Sequence, residues 1–207
     1  MRPRRRAAIA SSPTRPERDP ARMVQPTFQT DRLYVRPRTM ADTLACFIMD
    51  RDPEVTRYID GPWSDPTKHR AFIESRTHGP YPDGLGYWSI VARENIDELL
   101  GWILLIPRDG HGPEVEVGWR LMREHWGKGV AVEAAAPVLL HGFQIVELDR
   151  VIAEMNPANA ASIRVAEKLG MVRTKALRNA GRNTACFELD REQFLGAQPE
   201  QDEAPEA

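Results

Sequence analysis

The sequence has few cysteines and no long apolar run, and these absences exclude several classes of protein. Its 207 residues include two cysteines, Cys46 and Cys186, which form no Cys-x-x-Cys motif and which we expect to be reduced residues of the core. The five histidines show no ligand-like spacing with cysteine or acidic residues, so we expect no metal site. No apolar run approaches the roughly 18–20 residues that cross a bilayer, so we expect no membrane association.

The sequence also lacks a strong net charge, because its formal charge is -2. The charge is uneven: residues 1–22 contain seven arginines against Glu17 and Asp19, while residues 197–207 contain four acidic residues and no basic one. Removing the +5 of the first segment and the -4 of the last leaves -3 for the residues between them. A mildly acidic body of this kind does not indicate a nucleic-acid-binding protein.

Two terminal segments differ from the rest of the chain in composition. Residues 1–24 are rich in Arg, Pro and Ser and are predicted to be a disordered basic arm, and residues 197–207 are predicted to be a disordered acidic tail. Contact of the arm with nucleic acid is the alternative interpretation. The longest apolar run in the arm, AAIA, is too short for the core of a signal peptide, so we expect a cytoplasmic protein. Residues 25–196 remain as one folded domain, which is long enough for a substantial core.

The spacing of apolar residues predicts an α/β fold. The predicted strands are DRLYVRP (31–37), GYWSIVAR (86–93), ELLGWILLIP (98–107), EVEVGWRL (114–121), RVIAEMNP (150–157), MVRTKAL (171–177) and TACFELD (184–190). The predicted helices are TMADTLACFIMD (39–50), DPEVTRYI (52–59), DPTKHRAFIESR (65–76), residues 130–146 and ANAASIRVAEKLG (158–170). This order predicts a single domain with a mixed sheet of about seven strands, antiparallel in its N-terminal half and parallel where the helix after residue 129 crosses over, with helices on both faces.

The stretch WGKGVA, residues 126–131, combines two glycines with the start of a predicted helix. The first four N–H groups of a helix have no partner within it, and the helix dipole places about half a positive charge there. Glycine allows the backbone to approach a ligand closely, so the stretch suits a phosphate or pyrophosphate, with Lys128 adding charge. A plain tight turn is the alternative. The stretch matches neither a P-loop nor the G-x-G-x-x-G pattern of dinucleotide-binding folds.

Three segments carry a resemblance to a known family. They are TDRLYVRPRTMAD (30–42), EVEVGWRLMREHWGKGVAVEAA (114–135) and NPANAASIRVAEKLGM (156–171). Together they resemble the GNAT superfamily of acyl-CoA-dependent N-acetyltransferases, and within it the RimJ/RimL-like branch that acts on ribosomal proteins. The resemblance extends from Thr30 to Leu189 and implies that residues 25–196 are an N-acetyltransferase domain. Two departures are Glu124, where the family has Gln or Arg, and Pro137 inside the helix after the loop.

The resemblance implies a site for acetyl-CoA as co-substrate. The strand before the loop would form backbone hydrogen bonds with the pantetheine arm, and the loop would hold the pyrophosphate. The cofactor-binding residues predicted in this way are Trp119, Leu121, Met122, Trp126, Gly127, Lys128, Gly129, Val130, Ala131 and Asn159. We expect Trp126 to pack under the loop. The implied function is acetyl transfer to a primary amine by direct attack, and the alternative is a CoA-binding sensor or interaction module without catalysis.

Two residues are predicted to be catalytic. Strand alternation directs Glu114 and Glu116 to the face opposite Val115, Val117 and Trp119, and the family has an acid at the position of Glu116. Glu116 is therefore the predicted base, with Glu114 in reserve and a solvated or paired carboxylate as the alternative.

Ser162 is the predicted acid, because it lies three residues after Asn159 on the same helix face and its counterpart in the family approaches the cofactor sulfur. Asn159 as a plain N-cap is the alternative there.

The acceptor is less clear from the sequence. Tyr58, Trp63 and Trp88 occupy segments that shape the acceptor side in relatives, although aromatic residues there can equally belong to the core. The amine of a protein N-terminus or of a small molecule remains open, and a homodimer is compatible with the sequence.

Overall fold

A mixed sheet of eight strands organises the residues that the computed structural model describes, 25–174 and 184–197. The strands are β1 (Phe28–Gln29), β2 (Leu33–Pro37), β3 (Gly86–Ala92), β4 (Leu99–Pro107), β5 (Val115–Leu121), β6 (Arg150–Met155), β7 (Val172–Thr174) and β8 (Ala185–Asp190). Their order across the sheet is β1-β2-β3-β4-β5-β6-β8-β7. The predicted arm, nearly all of the predicted tail and residues 175–183 lie outside the described residues.

Helices connect the strands at three places, and one helix follows the last strand. They are α1 (Thr43–Arg51), α2 (Pro53–Thr56), α3 (Pro66–His78), α4 (Val130–Gln144), α5 (Ala160–Lys168) and α6 (Arg191–Gly196). The Asp65 side chain accepts from the N–H groups of Thr67 and Lys68 and so caps α3. After α5, Gly170 adopts a φ of 83°, the left-handed conformation with which glycine commonly ends a helix.

The direction of the strands agrees with the prediction from sequence. Neighbouring strands pair antiparallel from β1 to β5, whereas β5 and β6 are parallel and α4 forms the crossover between them. A parallel pair requires such a crossover connection, and the alanine-rich segment after the glycine loop supplies it. The α/β class, the antiparallel first half and the parallel crossover are therefore confirmed.

The helices cover both faces of the sheet, as predicted. On one face α4, α5 and α6 pack against residues such as Trp88, Ile103 and Val117. On the other face α1 and α3 pack against residues such as Trp102 and Leu104. Strand β4 is buried along its whole length because both of its faces are covered.

Two elements were not predicted. Strand β1 has two residues, too few to show an alternating pattern, yet it pairs with β2. Helix α6 follows β8 directly, with Asp190 at its N-cap position, so the prediction that a strand ends the folded chain was wrong. Phe194 of α6 is buried against Phe143 of α4, which shows that a tertiary contact stabilises this short helix.

Candidate active site

Strands β5 and β6 share one residue pair and then separate, which opens a gap within the sheet. Among the described residues, Glu116 and Ile152 are the pair that joins the two strands. On its other edge β5 pairs with β4 over its whole length, from Val115 to Leu121. The part of β5 after Glu116 therefore has one edge that faces the gap. The loop before α4 and the loop before α5 both follow the carboxyl ends of this parallel pair, where α/β folds place their ligands.

The gap-facing edge of β5 offers backbone groups to a ligand. The N–H of Met122 donates to the carbonyl of Leu100 on β4 at 2.9 Å. Successive residues of a strand direct their N–H and C=O groups to opposite edges, so Trp119 and Leu121 direct theirs away from β4 and towards the gap. The geometry at Trp119 suits the predicted backbone contact with the pantetheine arm.

Met122 and Trp126 differ from their predicted roles. The Met122 N–H is bonded to β4, and its carbonyl accepts from the N–H of His125 at 3.0 Å, so both backbone groups are already bonded within the chain. Trp126 does not pack under the loop, because its side chain is 40% exposed and its Nε1 donates to the carbonyl of Leu121 at 3.0 Å. This bond ties the start of the loop to the end of β5.

Five consecutive unbonded amides around the glycine loop indicate an anion-binding site. The N–H groups of residues 127–131 form no hydrogen bond to any backbone or side-chain acceptor of the described residues. Two of them, on Val130 and Ala131, belong to the first turn of α4, where the helix dipole is positive. The side chains of these two residues are buried, so the helix start is fixed in the core while its amides remain available.

The two glycines are required by the backbone and leave the loop uncovered. Gly127 and Gly129 have φ values of 72° and 79°, a conformation that costs other residues about 1–2 kcal/mol. A Cβ on Gly127 would meet no atom within 4 Å, and one on Gly129 would meet Arg32 Nη2 at 3.6 Å. Within the described residues, the space over Gly127 is therefore open, and the five amides of residues 127–131, which we call the cradle, have room for a pyrophosphate group.

Arg32 lies beside this cradle and is held in place by α4. Its Nη2 donates to the carbonyl of Lys128 at 3.0 Å, and its Nε donates to Glu133 Oε2 at 2.8 Å. Thr30 Oγ1 donates to the other carboxylate oxygen of Glu133 at 2.6 Å. These hydrogen bonds lower the pKa of Glu133 against the opposing effect of its burial, and they fix a guanidinium at the positive end of α4.

The loop side chains that carry charge are exposed. Lys128 and Glu124 are both solvent-exposed, so the negative charge of Glu124 is solvated. Helix α4 continues from Val130 to Gln144 with Pro137 inside it. Neither departure from the family pattern closes the cradle.

Glu116 lies at the base of the gap in an unusual electrostatic environment. Burial, together with the carboxylates of Glu154 and Asp109, raises its pKa to about 7 against the opposing effect of Arg108 and Arg76. Arg108 is committed to Glu154, to which it donates at 2.7 Å. A carboxyl group with a pKa near neutrality can accept a proton from an amine and later release it to solvent.

Ser162 lies in the first turn of α5, on the far side of the gap. Its N–H donates to the Asn159 side chain at 3.1 Å, so Asn159 caps the helix. The Ser162 hydroxyl is partly buried and has no hydrogen-bond partner among the described residues. It is therefore available to donate to a ligand in the gap.

Comparison with known proteins agrees with this geometry. Residues 32–172 match the family described as "Acetyltransferase (GNAT) domain". The chain belongs to the GNAT acetyltransferase family. It is 32% identical to the uncharacterized protein YkkB of Bacillus subtilis (strain 168), over 77% of this chain and 92% of that protein. It is 30% identical to the uncharacterized N-acetyltransferase p20 of Bacillus licheniformis, over 74% of this chain and 86% of that protein. Its fold is similar to that of an acetyltransferase from Agrobacterium tumefaciens, with a TM-score of 0.67, 28% identity and coverage of 83% and 98% of the two chains.

GNAT enzymes use acetyl-CoA and act on amine acceptors. Within the described residues there is no group of three or more His, Cys, Asp or Glu side chains that could hold a metal ion. In the same part of the chain no helix has both the length and the hydropathy to cross a membrane.

The three aromatic residues predicted for the acceptor separate into two groups. Trp88 was wrongly assigned to the acceptor side, because it is fully buried on the α4 face and its Nε1 donates to the carbonyl of Pro26 at 2.8 Å. Tyr58 and Trp63 are partly buried and lie on the α1 and α3 side of this GNAT fold. The Arg120 guanidinium lies 5.1 Å from the ring centre of Trp63.

A buried ionic cluster lies beneath Trp63. Asp50 accepts from Arg120 through one carboxylate oxygen and is 2.9 Å from His69 Nε2 through the other. All three side chains are less than a tenth exposed, and Trp102 covers Arg120 from another side at 5.0 Å. Arg120 lies on β5 on the same face as Glu116, so this cluster fixes the strand that carries the predicted base.

Three residues of the site, Arg32, Glu133 and Glu154, were not predicted from the sequence. Arg32 lies in the quoted segment TDRLYVRP, and Glu133 lies in GKGVAVEAA, but 101 positions separate them. No local pattern could pair them. Along β6, Val151 and Ala153 are buried on one face, and alternation directs Glu154 to the other face, the face of Glu116. This alternation is the one weak sequence signal for Glu154.

Proposed function

We propose that this chain transfers the acetyl group of acetyl-CoA to a primary amine, either of a protein N-terminus or of a small molecule, by direct attack. The observation that carries the proposal is the run of unbonded amides at residues 127–131 beside an open space. Membership of the GNAT family supports the same conclusion. The RimJ/RimL-like branch is part of this proposal and stays a prediction.

The residues of the loop and of β5 would hold the cofactor. The amides of residues 127–131 would donate to the pyrophosphate, and Lys128 and Arg32 would add positive charge at its edge. The backbone of Trp119 would pair with the pantetheine arm, and Asn159 would contact the cofactor while it caps α5. When bound, acetyl-CoA supplies an activated acetyl group.

The chemistry requires a neutral amine, a polarised carbonyl and a stabilised thiolate. An alkyl ammonium group has a pKa near 10.4 and an N-terminal one near 8, so a proton must be removed, and Glu116 with its pKa of about 7 would accept it directly or through water. A gap-facing N–H of β5 can donate to the carbonyl oxygen as negative charge develops there. The Ser162 hydroxyl would donate to the departing sulfur, whose pKa resembles that of cysteine.

Calorimetric titration with acetyl-CoA and an assay of thiol release over a panel of amines test the proposal. We expect a dissociation constant in the micromolar range and turnover with at least one class of amine. Absence of binding at millimolar acetyl-CoA would refute the proposal. Tight binding of acetyl-CoA without release of its thiol in the presence of any amine would support the alternative, a CoA-binding module without catalysis. Such a module has no need of the raised pKa of the Glu116 carboxyl.

A further inference from the structure

Two guanidinium groups meet at Tyr87, on the same face of the sheet as Glu116. The Arg38 guanidinium lies over the Tyr87 ring, 4.0 Å from its centre, and Arg38 Nε donates to Thr77 Oγ1 at 3.1 Å. Arg76 Nη1 donates to the Tyr87 hydroxyl at 2.7 Å. We refer to Arg38, Arg76, Thr77 and Tyr87 as the Tyr87 cluster.

The cluster carries positive charge that the described residues do not neutralise. Neither Arg38 nor Arg76 has a carboxylate within ion-pair distance in that part of the chain. Arg38 is 8% exposed, and its Nη2 is buried without any hydrogen-bond partner. A guanidinium remains charged inside a protein, and a buried charge without a counter-ion is costly. Such a cost is typical of a binding site whose counter-ion arrives with the ligand.

Three acidic side chains on this face are paired with other cations. Asp42 is bound to Arg36 at 2.6 Å. Asp50 is bound to Arg120 and His69, and Glu154 is bound to Arg108. Glu114 and Glu116 have no ion pair among the described residues, and Glu114 lies two residues farther along the chain from Gly118 than Glu116 does. Burial together with the carboxylates of Glu154 and Asp109 raises the pKa of Glu116 to about 7, so that it is half protonated at neutral pH. The surface between Tyr87 and Glu116 therefore has an excess of positive charge.

The sheet register connects the cluster with the predicted base. Tyr87 pairs with Leu104 on β4, and Leu104 pairs with Gly118 on β5. Across the sheet, Tyr87 and Gly118 are two strands apart, at about 4.8 Å per strand. Along β5, Glu116 lies two residues before Gly118 on the same face, a step of about 7 Å. Gly118 is partly exposed and has no side chain of its own, and the Leu104 side chain packs against it, with Cγ 3.1 Å from where a Cβ would lie. An apolar side chain, with no charged group of its own, therefore separates Tyr87 from Glu116 along the sheet. A small molecule can bridge the distance between the Arg76 and Glu116 side chains.

We propose that the acceptor is an amine that also carries a carboxylate, as amino acids do, with its amine directed to Glu116 and its carboxylate bound by Arg76. Arg76 is exposed and can reach a ligand, while Arg38 beneath it positions Tyr87 and adds positive potential. A guanidinium recognises a carboxylate through two parallel hydrogen bonds. A polyamine would bring further positive charge to this surface and would be repelled. The inference rests on the proposed acetyl transfer and specifies its substrate class.

The experiment compares acceptors that differ by one carboxylate. Thiol release is measured with saturating acetyl-CoA for lysine against cadaverine and for ornithine against putrescine, at one pH. In the wild-type protein we expect kcat/KM to be at least tenfold higher for the amino acid of each pair. Arg76→Gln should raise KM at least tenfold more for the amino acids than for the diamines, leave the KM for acetyl-CoA unchanged, and so abolish the preference.

Two further variants separate recognition from folding. Arg76→Lys keeps the charge and should recover part of the preference, whereas Arg70→Gln changes an exposed arginine of the same helix that has no partner among the described residues and should behave as wild type. Equal or higher kcat/KM for the diamines in wild-type protein would overturn the inference and leave acetyl transfer intact. A preference that Arg76→Gln leaves unchanged would also overturn it. Absence of thiol release with every amine tested would remove the proposed function and this inference together.

Discussion

Replacing Glu116 with glutamine should remove one ionisation from the pH dependence of turnover. The pKa of this carboxyl is raised to about 7 by burial and by Glu154 and Asp109. A base with that pKa is deprotonated in about a tenth of molecules at pH 6 and about nine tenths at pH 8. The acceptor amine also loses protons over this range, but it does so equally for both proteins. The ratio of wild-type to Glu116→Gln kcat/KM should therefore rise about tenfold from pH 6 to pH 8.

The assay is thiol release from acetyl-CoA between pH 5.5 and 9, with the same acceptor for each protein. General-base catalysis contributes about 10²–10⁴-fold, so we expect Glu116→Gln to lower kcat at least a hundredfold at pH 8 without changing the dissociation constant of acetyl-CoA. Glu114→Gln is the matched control, because Glu114 precedes Glu116 by two positions on the same face. A ratio that does not change with pH, or a Glu114→Gln variant with the larger defect, would refute Glu116 as the base.

The same substitution has a consequence for stability that does not depend on activity. The folded protein holds the Glu116 proton up to about pH 7, whereas the unfolded chain releases it near its ordinary pKa of 4.5. The folded state therefore binds more protons between these values, and its stability decreases as the pH rises through that window. The loss is at most about 3 kcal/mol above pH 7. In urea unfolding, the wild type should lose stability relative to Glu116→Gln from pH 4.5 to 7, and parallel curves would show that burial does not perturb this carboxyl.

Four other substitutions test the remaining parts of the site. Gly129→Asp places a carboxylate at the cradle and a side chain at a φ of 79°, so calorimetry should show at least tenfold weaker binding of acetyl-CoA. Arg32→Gln should weaken binding of acetyl-CoA by about twofold to fivefold, and the difference should shrink at high salt, because an exposed charge at a helix terminus contributes about 0.3–1 kcal/mol. Ser162→Ala should lower kcat while the calorimetric affinity for acetyl-CoA stays constant. Asp50→Asn leaves Arg120 buried without its counter-ion, so the free energy of unfolding in urea should fall by about 3–5 kcal/mol.

The cofactor loop was predictable from sequence because its determinants are local. The positive φ values of Gly127 and Gly129 and the start of α4 at Val130 depend on residues that adjoin each other in the chain. The same holds for Asn159, whose side chain caps the helix that begins one residue later. Their predicted roles in binding remain predictions, but their positions follow from turn and helix chemistry.

The parts that the sequence did not predict depend on contacts between distant segments. Alternation along β3 shows that Tyr87 and Trp88 point to opposite faces, but it does not show which face α4 covers. Trp88 was therefore placed on the acceptor side, although Tyr87 is the residue that lies there. The ion pair of Arg32 with Glu133 and the cluster of Asp50 with Arg120 likewise join positions far apart in the chain.

Both halves of the site depend on the position of each residue along β5. Even-numbered residues direct side chains such as that of Glu116 to the acceptor side and their backbone groups to β4. Odd-numbered residues such as Trp119 direct their backbone groups to the gap and their side chains to the α4 face. A one-residue shift of this strand would bury Glu116 against α4 and turn the cofactor-facing amide towards β4. The paired length of β4 with β5 and the anchoring of Arg120 by Asp50 oppose such a shift, so the contacts that stabilise the sheet also keep the Glu116 side chain and the gap-facing backbone of Trp119 in the positions that the proposed function requires.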